Sequence, residues 1–83
     1  MAGCFVSSIN VESDGENLIA TLPCVFFGSG LRDLSTAVVT ILLTDTLAQI
    51  KQKIVDAVVS EAVRLGYAVV PTNIILPSFQ KGG

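Results

Sequence analysis

Histidine and tryptophan are missing from this 83-residue chain, only 14% of it is charged, and it holds two cysteines, one tyrosine and one methionine. Each shortage closes a route. Without histidine the chain lacks the usual general base, proton shuttle and neutral metal ligand. Five Lys/Arg against seven Asp/Glu give a net charge of −2. No basic cluster stands ready for the phosphate neutralisation that dominates nucleic-acid binding, so no nucleic acid is expected as a partner. No uninterrupted apolar run approaches the ~18–20 residues that cross a bilayer, so no membrane partner is expected. Met1-Ala2-Gly3-Cys4 lacks the basic and apolar regions of a secretory signal. Two cysteines do not make a disulfide scaffold. The expectation is a cytoplasmic or virion-bound protein with no cofactor and no metal.

What is present is apolar. Hydrophobic residues make up 51% of the chain, while the charged fraction falls well below the ~25% typical of soluble domains. The length predicts a single domain, 1–83, that buries only about 60–65% of its unfolded surface. A short, poorly charged, apolar chain tends to hide surface against other chains.

Residues 4–27 read as a β-hairpin, with runs Cys4 to Val11 and Leu18 to Phe27 around Asp14-Gly15 as a two-residue turn. That register sets Val11 opposite Leu18, Ile9 opposite Ala20, Ser7 opposite Leu22 and Phe5 opposite Cys24. It gathers Phe5, Ile9, Val11, Leu18, Ala20, Leu22 and Cys24 on one face. Cys4, opposite Val25, falls on the other face, so the cysteines are expected as separate, buried free thiols. Gly28 to Asp33 reads as a loop. Residues 34–44 follow as a strand whose near-continuous apolar run predicts cover on both faces.

The helix is expected over 46–65. Asp45 or Thr46 can cap it, Thr46-Leu47-Ala48-Gln49 has capping-box spacing, and Gly66 suits a left-handed stop. Around the wheel, Leu47, Ile50, Ile54, Val58 and Leu65 form a core-facing stripe. A second stripe, Ala48, Val55, Val59, Ala62 and Val63, lies beside it. The tail, 67–79, reads as extended chain, with Pro71 and Pro77 confining it to a sheet edge or strand ends. The order β-β-β-α-β predicts an α+β, two-layer domain with a mainly antiparallel sheet.

Candidates for chemistry are thin. Cys4 and Cys24 have no histidine to activate them. Lys51 and Lys53 point to different sides of the helix. Glu12, Asp14 and Glu16 cluster at the hairpin tip without the remaining ligands of a calcium loop. Gly28-Ser29-Gly30 is followed by no lysine and no helix start, as a phosphate loop requires. The chain is expected not to be an enzyme.

Asp45-Thr46-Leu47-Ala48-Gln49-Ile50-Lys51-Gln52-Lys53-Ile54, together with the terminal Gly82-Gly83, resembles the helix start and tail of ubiquitin. The resemblance implies a β-grasp fold and a protein-binding module that works through a sheet face. The chain departs from that pattern after Ile54, where the helix runs on to Leu65 and little chain remains for later strands; conjugation is not carried over.

The composition favours a different expectation: a structural subunit of a homo- or hetero-oligomeric assembly. A small virion component, such as a capsid-decorating (cement) or tail-associated protein, fits that profile. Its partners would be copies of itself or a larger structural protein. The expected contact is the second helix stripe, Ala48, Val55, Val59, Ala62 and Val63, because Val55, Val59 and Val63 would each forfeit about 1.5–2 kcal/mol if left in water.

Overall fold

Two long strands and one doubly capped helix carry the fold in the computed structural model, which describes residues 2–77. The strands are β1 (Gly3–Val6), β2 (Asn10–Asp14), β3 (Asn17–Gly28), β4 (Leu31–Leu42) and β5 (Ile74–Ile75); the helix α1 (Leu47–Leu65) lies between β4 and β5. β3 is the spine of a five-stranded mixed sheet. β4 pairs antiparallel along one side of it, β1 and β2 share the other side, and β5 runs parallel to β1. With α1 on one face, the architecture is α+β in two layers. Phe79, at the end of the expected tail, and Gly82-Gly83 lie outside the described residues.

Two tight turns set the registers. Asp14 pairs with Asn17, so the turn residues are Gly15 and Glu16. Gly15 has φ +64, which places glycine at the first central position, as a type II′ turn requires. Asp14-Gly15 was the expected turn, and the register therefore moves by two residues: Val11 opposes Ala20. A two-residue move preserves the alternation of faces, so Val11, Leu18, Ala20, Leu22 and Cys24 still share one face. Between β3 and β4 the expected six-residue loop shrinks to Ser29-Gly30, with φ 52 and 77. Positive φ at both positions is the type I′ arrangement, which suits the twist of the flanking strands.

One irregularity overturns part of the expected hairpin. β2 pairs with β3 as Asn10 to Thr21, but β1 pairs with it as Val6 to Cys24. Three residues, Ser7 to Ile9, thus face two, Leu22 and Pro23. This extra residue is a bulge, and it explains how Pro23 can sit inside a central strand: a proline has no N–H for the ladder and belongs at such a break. Ser7 closes the gap, its backbone N–H donating to the Pro23 carbonyl at 3.0 Å and its hydroxyl to the same oxygen at 3.1 Å. Beyond the bulge the faces exchange. Cys4 and Val6 turn inward beside Cys24 and Phe26, while Phe5 turns outward, opposite Val25. The cysteines are free and buried, but on the same face and not on opposite ones.

The core forms where α1 meets that inner face. Ile50, Ile54, Val58 and Ala62, spaced four apart along one ridge, pack with Cys4, Val6, Ala20, Leu22, Cys24 and Phe26. Phe26, Leu22, Ile54, Val6 and Val58 are fully enclosed, and each large apolar side chain buried this way contributes roughly 1.5–3 kcal/mol. Leu47, expected to face the core, stays half exposed, because the ridge passes through Ala62 and not through Leu47. Tyr67 extends the core past the helix end, its ring stacked on Phe26 with centroids 6.0 Å apart.

The helix ends are set locally. The Thr46 hydroxyl accepts from the Gln49 backbone N–H at 3.2 Å, and the Gln49 side chain accepts from the Thr46 N–H at 2.8 Å. At the other end Gly66 takes the left-handed conformation, φ 90, which costs a residue with a β-carbon more than glycine.

Candidate protein-interaction surface

Alternation along the strands assigns every β3 and β4 side chain to one of two faces. On the covered face stand Ala20, Leu22, Cys24 and Phe26 with Ala37, Val39 and Ile41 across the ladder. On the other face stand Ile19, Thr21, Pro23, Val25 and Phe27, paired with Thr40, Val38, Thr36, Leu34 and Arg32. The helix packs on the covered face alone, and the second face is bordered only at its Phe27 and Ile75 end, by Ala2, Thr72 and Asn73. Leu34 is 81% exposed and Val38 60%. The expectation that the third strand is covered on both faces therefore fails; β4 is an edge strand with one bare side.

The bulge completes the surface. By turning Phe5 outward it aligns one apolar row across four strands: Ile75 beside Phe5, Phe5 beside Val25, and Val25 beside Leu34. Leu34, Val38 and Leu42 extend this row along β4, and Phe27 stands next to it. Gly3 fits under the Phe27 ring, where a β-carbon would come within 2.7 Å of it. The charges on this face, Arg32 at one end and Glu12 and Asp14 at the other, lie outside the apolar row. Monomeric surfaces seldom expose contiguous apolar patches beyond a few hundred Å². Phe5, Phe27, Leu34, Val38 and Ile75 are all exposed on this one face.

The helix residues expected at a contact separate into three environments. Ala62 is fully buried in the core ridge and so is removed from any exposed stripe. Val55 and Val59 are half-buried, and Val55 lines a groove of ≈ 530 Å³ with Ile9, Lys51, Ile74 and Leu76. Ala48 and Val63 are exposed, Val63 at 69%. The 3.6-residue wheel could not show this split, because the sheet contact is centred on the Ile50 to Ala62 ridge.

Polar groups on the covered side occur in satisfied pairs. The Tyr67 hydroxyl donates to Asp33 at 2.6 Å, which holds the phenol's pKa above its usual value. Glu61 accepts from Arg64 and from the Ser35 hydroxyl, and these contacts, the Arg64 bond foremost, bring its pKa down to about 2. Asp45 accepts from Lys53 and from the Leu42 backbone N–H, and both lower its pKa. The Cys24 thiol donates to the Leu22 carbonyl at 3.0 Å. The adjacent Cys24 sulfur and then burial push the Cys4 thiol well above its ordinary range. These groups brace the helix against the sheet. None sets a nucleophile beside a free base, the arrangement that nucleophilic chemistry needs. Glu12, Asp14 and Glu16 are exposed along β2 and its turn, and no three acidic or sulfur ligands gather among the described residues. No described helix is long and apolar enough to cross a membrane.

The fold is that of a small α+β domain with one sheet face left bare. No protein-family profile, curated protein or solved structure matches this chain.

Proposed function

We propose that this chain is a non-enzymatic structural subunit of a larger assembly, working in the cytoplasm or in a virion, where capsid-decorating or tail-associated components are of this kind. The observation that carries the reading is the uncovered row Ile75, Phe5, Val25 and Leu34. A domain this small has little stability to spare, and covering that row with another protein surface recovers burial that the single chain forgoes. The partners of this reading are copies of the chain or a larger structural protein. The helix residues Ala48, Val55, Val59 and Val63 then form a secondary surface on the opposite side of the molecule.

Mass by light scattering across a concentration series tests the reading. Species heavier than the 8.7 kDa chain are expected, and a monomer at every concentration would contradict self-assembly. A second reading, a β-grasp binding module, draws on one observation: the strand after the helix, β5, runs parallel to β1. β4 lies between the hairpin and the helix, however, and only two β5 residues pair. Monomeric behaviour would favour that module.

A further inference from the structure

We infer that two copies of the chain join edge to edge through β4, antiparallel about a two-fold axis at Val38. This rests on the assembly reading above and names one contact within it. β4 pairs only with β3 among the described residues, so its outer backbone groups have no partner strand up to Leu42, whose N–H and carbonyl are held by Asp45. Exposed edges of this length are normally blunted by lysine, proline, a bulge or inward charge. Between Leu34 and Leu42 there is no charge, no proline and no break in the β3 ladder. The other edges are poor mates for it: β5 has two residues, and β2 has five and carries Glu12 and Asp14. The one edge that matches β4 in length and polarity is β4 of a second copy.

Side-chain alternation restricts the register to pairings that keep the bare faces together. Centring on Val38 sets Leu34 opposite Leu42, Thr36 opposite Thr40, and Val38 opposite itself on the bare face. The covered face then matches Ser35 with Ile41 and Ala37 with Val39. Centring on Ala37 mates Leu34 with Thr40 and Thr36 with Val38 on the bare face, and centring on Thr36 sets charged Asp33 against Val39; the Val38 register has one unlike pair, Ser35 with Ile41, and keeps the bare face matched throughout. The Val38 register leaves Arg32 and Asp33 beyond the paired span, toward the end where the partner holds Asp45 and Lys53.

The helix supports the same axis. Lys53 reaches Asp45 just past β4, and Glu61 binds Ser35 on β4, so the flank Lys53, Ala57, Glu61 is the one nearest this edge. A two-fold runs the two helices antiparallel, which brings basic Lys53 of one chain toward acidic Glu61 of the other, with small Ala57 between. Each charge is already paired in its own chain, Lys53 with Asp45 and Glu61 with Arg64, so the meeting sets two neutral pairs side by side and opposes no like charges. The seven residues Ser35–Ile41, short of the ends where Asp45 holds Leu42, extend only about 23 Å, and a contact one strand wide falls short of the ~800 Å² per partner of a standard interface. The edge pair is therefore one contact of the assembly, with the bare face available for others.

Cysteine scanning under mild oxidation by glutathione disulfide tests the axis. Facing residues of an antiparallel pair have Cα separations that a disulfide accepts. Val38→Cys is expected to link into a covalent dimer on a non-reducing gel. Thr36→Cys, which faces Thr40, is expected to stay single, and Thr36→Cys with Thr40→Cys is expected to link again. Circular dichroism confirms folding; Val38 is exposed and accepts the change. An assembled wild type in which Val38→Cys does not link, or in which Thr36→Cys links as well, overturns the β4 axis and leaves the assembly reading standing. A wild type monomeric at all concentrations overturns the β4 axis and self-assembly together.

Discussion

The two faces of the sheet are built from the same kinds of residue and meet different fates. On the covered face Ala20, Leu22, Cys24 and Phe26 are almost inaccessible, and the polar members, Asp33 and Ser35, bind Tyr67 and Glu61. On the bare face Phe5, Val25, Leu34 and Val38 carry equal apolar character with no element above them. A strand with polar residues outward would fold equally well as a monomer. The bare face is therefore not explained by the stability of one chain, which is the ground for the proposed cover by another.

The largest effect expected from this contrast lies in the core. Phe26→Ala removes a fully buried ring and should cost about 3–5 kcal/mol, most of the stability of a domain this size. Urea titration by circular dichroism measures it. Leu34→Lys, on the bare face, should leave the monomer's unfolding midpoint nearly unchanged, since exposed substitutions usually fall within about 0.5 kcal/mol. Its effect should appear in association instead, as a loss of the heavier species in sedimentation. A Leu34→Lys protein that assembles like wild type would remove the bare face from the contact.

Smaller effects refine the covered side. Thr46→Ala deletes the hydroxyl half of the capping box and should lower stability by about 1 kcal/mol, read from the same titration. Acid offers a further test. Glu61 is lowered from 4.5 to about 2 in the folded chain, and Asp45 is lowered as well. Unfolded carboxylates therefore bind protons at higher pH than the folded ones. This contribution is present above the unfolded value and lost as pH falls through the folded one. Melting temperature should drop between about pH 4.5 and 2, and Glu61→Gln should flatten that decline. Last, iodoacetamide should leave Cys4 and Cys24 unmodified in the native protein, since both are buried and the Cys4 thiol is held protonated. Labelling without denaturant would contradict the packed inner face.

The ends of the helix were legible in the sequence because their signals are local. Thr46 and Gln49 cap one end and Gly66 stops the other. The face assignment of β3 was legible too, since a two-residue turn shift preserves alternation. β1 was not, because the bulge at Ser7 to Ile9 inserts one residue and inverts everything before it. Pro23 inside a strand was the available mark of that break. The expected surface on α1 failed at Ala62 for a different reason: a wheel gives relative angles, and only the sheet contact says which angle is central. The bare face of β4 was hidden because an apolar run signals burial without saying which face of the strand receives it.

Hydroxyl-radical footprinting of the two faces tests the central claim most directly. Phe5, Phe27 and Leu34 are compared with buried Phe26 in the assembled wild type and in dissociated Leu34→Lys, with Phe5 and Phe27 as the common reporters. The expected result is that Phe5 and Phe27 are oxidised readily in the variant and fall toward the level of Phe26 in the assembled protein. Equal oxidation of Phe5 and Phe27 in the two samples would contradict the bare face as a contact surface.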